Sequence, residues 1–163
     1  MTASTSPALD VALAYHYAWT GHDLDKAMSY IADDIICDAP AGRLVGASAY
    51  REFMGPFVQI LTGSELVAAF GDDEKAVVVY DTETVPVKSA PGAECVTVKD
   101  GKIIRSLFIF DRAPFDAARR AQAGAGSWAA RVLDEPRRPS KPAYSCGRRG
   151  KGVKWHVRRL HRT

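Results

Sequence analysis

From residue 7 to residue 61 the apolar positions recur every three or four residues, as on one face of a helix. From residue 64 to residue 111 they alternate or run together, as in strands. Ser6-Pro7 predicts a helix start, with Ser6 placed to cap and Pro7 at the first helical position, and Gly21 ends that helix after Thr20. Asp23 caps a second predicted helix, in which Leu24, Ala27, Met28 and Ile31 form one buried face, running to Asp33-Asp34. Ile35–Asp38 reads as a short strand stopped by Ala39-Pro40; Ala41-Gly42 turns, and Arg43–Val45 returns. A third helix opens at Gly46-Ala47-Ser48 and presents Tyr50, Phe53, Met54, Phe57, Val58 and Leu61. Gly55-Pro56 should kink it, because Pro56 has no N–H to donate. Strands follow at Ser64–Gly71 and Lys75–Val85, then a loop at Pro86–Gly92. Ala93–Lys99 pairs with Lys102–Asp111 across Asp100-Gly101, a strong two-residue hairpin signal. Pro114 begins a last short helix, to about Ala121.

Helices followed by a run of antiparallel strands indicate an α+β domain rather than alternating α/β. A curved antiparallel sheet can wrap around the three helices as a cone and leave a cavity at its open end.

Composition changes this picture only towards the C-terminus. The 163 residues carry a net charge of +3, which hides a split. Residues 1–118 hold 9 Lys/Arg against 17 Asp/Glu, a net of −8, whereas residues 119–163 hold 13 against 2, a net of +11. The basic part is rich in Arg, Gly, Pro and Ala and has little hydrophobic periodicity, so a boundary is placed near Ala121: a domain at 1–121 and a basic, disordered tail at 122–163. Within the tail, PRRPSKP, GRRGKG and RRLHR surround Trp155 and His156. Such a segment can hold a nucleic acid by charge and stacking, or an anionic membrane surface, or fold back on the acidic body. It can equally be a solvated extension, as arises when a GC-rich gene is read past its stop. Cys37, Cys95 and Cys146 form no zinc or CxxC spacing and read as reduced thiols of a cytoplasmic protein. No apolar run is long enough to span a membrane, and MTASTSPALD does not read as a signal peptide. No P-loop, GxGxxG, HExxH or GxSxG is present, so no cofactor and no metal is expected.

Candidate chemistry rests on a few residues. Ile36 and Asp38 share a strand face; if Ile36 is buried, Asp38 points into the same interior, and desolvation raises its pKa towards that of a base. The alternative is an exposed strand end at which Asp38 caps the Ala39-Pro40 turn. Glu94 shares parity with Val96 and Val98, which makes it a candidate inward acid unless its strand begins later. Tyr15 lies on a stripe with Ala12 and Trp19 that either lines a pocket or belongs to the core; a small error of helix phase would substitute His16 or Tyr17. Trp19, Phe53, Phe57, Phe108 and Phe110 are the candidate walls for a small hydrophobic molecule, with Phe108 and Phe110 sharing a face with Ile104 and Ser106. Asp81 and Arg105 lie on central strands, as an ion pair or as part of an epoxide-hydrolase-like Asp–Arg–Asp set whose third member is missing.

The stretch Tyr30–Phe53, YIADDIICDAPAGRLVGASAYREF, resembles the stem of nuclear-transport-factor-2-like (SnoaL-like) proteins, and the resemblance extends over residues 8–120. It implies a cystatin-like α+β roll around an apolar pocket and homodimers formed through sheet faces. That superfamily holds isomerases, cyclases, dehydratases, hydrolases and non-enzymatic binders, among which fold alone does not choose. The chain is similar to ketosteroid isomerase at three positions. By that similarity Asp38 moves the proton, although Ala39 separates it from Pro40, Tyr15 donates to the enolate oxygen, and Glu94 assists, where the family has Asp. The implied activity is cofactor-independent proton transfer next to a carbonyl of a steroid- or polyketide-like compound, by an isomerase or cyclase. The alternative is a non-catalytic small-molecule binder.

Overall fold

The computed structural model describes residues 6–133, with side chains as far as Ala123. The elements run α1 (Pro7–Thr20), α2 (Leu24–Met28), β1 (Ile31–Ala39), β2 (Gly42–Val45), α3 (Ala47–Ile60), β3 (Leu61–Gly71), β4 (Lys75–Thr84), β5 (Ala90–Lys99), β6 (Lys102–Phe110) and α4 (Ala113–Leu133). Six strands form one curved open sheet in the order β2-β1-β6-β5-β4-β3. The class is the expected α+β, a cystatin-like roll. The sheet, however, is not wholly antiparallel: β1 and β6 run parallel. Three hairpin reversals lead from β3 to β6, and they leave the last strand entering beside β1 and pointing the same way.

One face of the sheet packs on α1 and α3. From α1 come Ala8, Ala12, Tyr15 and Trp19, from α3 Tyr50, Met54 and Val58, and from the sheet Ile35, Cys37, Ala76, Val78, Val96 and Ile103. Alanines at 8 and 12 bring α1 close to the strands. Its first turn is tied down from outside, because the Ser6 hydroxyl donates to the Asp72 carbonyl at 2.9 Å instead of capping the helix. Asp23 does cap α2, accepting from the Lys26 N–H at 2.9 Å.

Several boundaries differ from expectation. The second helix stops at Met28, and Ile31–Asp34 is already strand, since Ile31 pairs with Ile103 on β6 and stays buried either way. The loop expected up to Gly92 ends sooner, because Ala90 and Pro91 pair with Thr82 and Asp81. α4 passes the expected boundary at Ala121 and runs to Leu133. The basic runs from residue 136 onwards, with Cys146, Trp155 and His156, lie outside the described residues. Among the described residues no helix is long and apolar enough to cross a membrane.

Candidate active site

Alternation along β4, β5 and β6 sends Tyr80 and Thr82, Gly92 and Glu94, and Ser106 and Phe108 to the inner face. At the open end these strands, α1, α3 and the first turn of α4 enclose a cavity of about 110 Å³. Trp19, Phe53, Phe57, Phe108 and Phe110 all line it, together with Met54, Tyr80, Gly92 and Phe115, among others. The rings meet edge to face or tilted: Trp19–Tyr80 centroids are 5.5 Å apart, Phe53–Phe108 5.7 Å, and Phe57–Phe115 6.2 Å. Ile104, expected on the same face as Ser106, is displaced from it. A bulge between Thr97 and Val98 shifts the register and turns Ile103 inward instead.

A polar cluster lies one strand step deeper. Glu94 follows Gly92 on the same face of β5 and stands directly across from Phe108 on β6 and Val78 on β4. It does not itself line the cavity. Its Oε1 accepts from the Ser106 hydroxyl at 2.6 Å and from the Tyr50 hydroxyl at 3.1 Å. The Tyr15 and Tyr50 hydroxyls are hydrogen-bonded to each other at 2.6 Å. Both bonds to Glu94 fall on one oxygen; Oε2 receives none from the described residues. Burial pushes the Glu94 carboxyl up to about 7, against the two hydroxyls, which favour its charged form. Tyr15, Tyr50 and Tyr80 are held well above the ordinary tyrosine range by burial first and by the charge of Glu94 second. Burial likewise pushes the Cys37 thiol, beside this cluster, up to about 12.

Tyr15 and Glu94 therefore meet, through Tyr50. Asp38 does not join them. Ile35 and Cys37 take the inward positions of β1, fully buried, so Ile36 and Asp38 face outward. Ile31, Ile35 and Cys37 keep one alternation, so of the two adjacent isoleucines it is Ile35 that turns inward, one residue off from the phase expected. Arg43, opposite on β2, grips Asp38 with two bonds, Nε to Oδ1 at 2.7 Å and Nη2 to Oδ2 at 3.1 Å, and Arg105 stands 3.8 Å away. The Arg43 hydrogen bond holds the Asp38 carboxyl below its usual range, the reverse of the expected rise. Asp81 and Arg105 do not pair either: Arg105 faces Asp38, and Asp81 Oδ2 accepts from Ser89 at 2.8 Å. One strand, β5, lies between them, and on it Asp81 stands opposite Pro91 while Arg105 stands opposite Thr97, so no Asp–Arg–Asp set assembles.

His16 is buried between Trp19 and Tyr80, with ring centroids at 5.0 and 5.1 Å, and burial lowers it to about 4, so it stays neutral. Tyr17 faces outward. Tyr50 and Ser106 were legible only as core and strand positions. Their alternation marked them as inward, but nothing in the sequence placed both hydroxyls on one carboxylate. Among the described residues no three His, Cys, Asp or Glu side chains group as a metal ion would need.

Residues 12–106 match the SnoaL-like domain family. No curated protein matches the chain. The crystal structure of a protein from Kribbella flavida is 56% identical, covers 74% of this chain and 99% of its own, and superposes with a TM-score of 0.72. More distant structures share the fold. A candidate ketosteroid isomerase from Kribbella flavida is 18% identical over 66% of this chain and 79% of its own, with a TM-score of 0.56. A candidate polyketide cyclase from Sinorhizobium meliloti is 22% identical over 61% and 94%, with a TM-score of 0.55.

Proposed function

This chain belongs to the SnoaL-like domain family, and from that premise we propose that its cavity binds a hydrophobic ring compound and that Glu94 moves a proton next to the compound's carbonyl group. The observation that carries the reading is a buried carboxyl, raised to about 7, beneath an aromatic cavity. A base works best when its pKa lies near the working pH, and an ordinary exposed glutamate falls well below that. As carboxylate, Glu94, one strand step below the cavity, takes the proton from the carbon next to the carbonyl through one intervening water or once the ligand has reached down that step. The C–H electron pair becomes a C=C bond and the carbonyl electrons move to oxygen, leaving an enolate and a protonated Glu94. If Glu94 first trades that proton for one from solvent, its return to the same carbon gives exchange; return to the far carbon of a conjugated system gives isomerisation. Tyr50 and Ser106 hold Oε1 in place, and Tyr15 orients the Tyr50 hydroxyl. Oε2 is the atom left to carry the proton. Relatives described as a ketosteroid isomerase and a polyketide cyclase fit chemistry of this kind. The exposed apolar residues of the outer sheet face support a homodimer formed through that face.

A second reading, a non-catalytic binder, draws on the outward position of Asp38, which removes the acid expected to shuttle the proton. Acetophenone in D₂O separates the two. Wild-type protein should speed deuterium entry into its methyl group, followed by proton NMR. Glu94→Gln should lose about a hundredfold or more of that rate, and Asp38→Asn should keep it. Acetophenone that binds with no faster exchange would leave only the binder.

A further inference from the structure

Resting on the reading of this cavity as a ring-binding site, its size and its one open polar group narrow the ligand. The volume is about 110 Å³. A cavity of roughly 150 Å³ takes benzene, and sites for drug-sized ligands run from roughly 300 Å³ upwards. The space therefore accommodates the head of a molecule, about one ring, and falls short of a four-ring steroid.

Its wall is apolar almost throughout; of the two hydroxyl residues that line it, Thr82 already donates to the Ala90 carbonyl at 3.1 Å, and Tyr80 is the exception. The Tyr80 ring lines the cavity and the residue is 6% exposed. No described residue bonds its hydroxyl. The buried side-chain atoms that are both unpartnered and sealed off are His16 Nδ1, Trp19 Nε1 and Asp81 Oδ1; the Tyr80 hydroxyl is not among them, so it keeps some accessible surface, and the space that Tyr80 lines is this cavity. Gly92 explains the ring's position. It is the cross-strand partner of Tyr80, and a Cβ there would come within 3.2 Å of Tyr80 Cε2, so the ring lies over bare backbone. On its other side the ring is held by His16 and Trp19. Tyr80 is thus a rigid donor at the cavity wall. Burial and the charge of Glu94 keep it protonated.

We infer that the cavity takes the head of a flat one-ring compound bearing a carbonyl oxygen, and that Tyr80 donates the hydrogen bond that orients this oxygen. With the oxygen fixed at Tyr80, the carbon next to the carbonyl is turned towards the strand position of Glu94, and the same hydroxyl meets the negative charge that the enolate would develop.

Acetophenone and α-methylstyrene test the assignment, because they differ by C=O against C=CH₂ in nearly the same shape. Calorimetry on the wild-type protein should give acetophenone a roughly two- to tenfold lower Kd, the range of one net hydrogen bond. In Tyr80→Phe that preference should vanish while α-methylstyrene binds as before. Should Tyr80→Phe fail to fold, the ¹³C carbonyl resonance of acetophenone on the wild-type protein serves instead, with a downfield shift expected on binding. Progesterone, a four-ring ketone, should not displace acetophenone. Equal affinity for the two small probes, an unshifted carbonyl, a preference that survives in Tyr80→Phe, or displacement by progesterone would each overturn the inference. Binding with the oxygen preference but without proton exchange would sink the catalytic reading alone; exchange without the preference would sink Tyr80 alone.

Discussion

Glu94 and His16 are both buried, and burial moves them in opposite chemical senses: the acid up to about 7 and the imidazole down to about 4. Their effects on stability oppose each other. Glu94 keeps its proton in the fold after the unfolded chain has lost it, so from about pH 4.5 to 7 the fold loses stability as pH rises. His16 stays neutral in the fold while the unfolded chain takes a proton, so between about pH 4 and 6.5 the fold gains stability as pH rises. The two shifts are similar in size, and the wild-type protein should show a nearly flat urea midpoint between pH 4.5 and 6.5. Glu94→Gln should expose the rise and His16→Phe the fall. A midpoint that tracks pH identically in all three proteins would mean that neither group is desolvated as described. At this scale the sequence spoke unevenly. The parity of Glu94 with Val96 and Val98 was enough to send it inward. Asp38 went outward because Ile35 and Cys37, in step with Ile31, take the inward positions, a choice that two adjacent isoleucines leave open in the sequence.

Elements were most legible where a single residue forces the backbone. Asp100-Gly101 made its turn, with φ of 51° and 73° at the two positions, both left-handed as such a hairpin requires. They were least legible where pairing overrides periodicity: Ile31 fits a helix face by spacing, yet it is claimed by β6. Two glycines of the α3 region show how backbone and space can be told apart. Gly46 precedes the helix at φ 89° and ψ 153°, a region essentially closed to other residues, and its N–H donates to the Ile35 carbonyl at 2.8 Å. An added Cβ would find only the Asp33 carbonyl oxygen, at 3.6 Å, so Gly46→Ala should cost roughly 1–3 kcal/mol from conformation rather than collision. Gly55 lies inside the helix, where a Cβ would make an ordinary contact with Leu24 Cδ2 at 3.8 Å, but a Cβ before Pro56 crowds the proline Cδ in helical backbone and offsets the roughly 0.5–1 kcal/mol that alanine gains over glycine in a helix, so Gly55→Ala should leave stability nearly unchanged. Urea unfolding should lower the midpoint of Gly46→Ala and leave that of Gly55→Ala close to wild type. Loss of stability in both would mean that α3 tolerates no added volume against α2.

At the scale of the whole molecule, the fold class was readable because helices precede strands in the chain, and the cavity because aromatic residues recur on inward faces. The parallel contact of β1 with β6 was not, since it depends on how many reversals separate two strands that are distant in sequence. The outer face of the sheet raises the last question. Phe70, Val77, Cys95 and Leu107 form one row across four strands, ending beside Asp38, and Val79, Ala93 and Ile109 form the next. Phe70 is 70% exposed, Ile109 58% and Leu107 44%. A solvated sheet face ordinarily alternates to polar residues, and a contiguous apolar patch of this kind marks an interface. A second copy would satisfy it, because a two-fold axis through the centre of the face would set each row against itself or its neighbour. Sedimentation equilibrium should therefore find the wild-type protein as a dimer and Leu107→Glu/Ile109→Glu as a monomer. Two carboxylates facing their own copies across an apolar contact would have to be buried unpaired. Both residues point away from the cavity, so the double variant should still bind acetophenone. A wild-type protein that sediments as a monomer at micromolar concentration would refute the dimer and leave the exposed face to another partner.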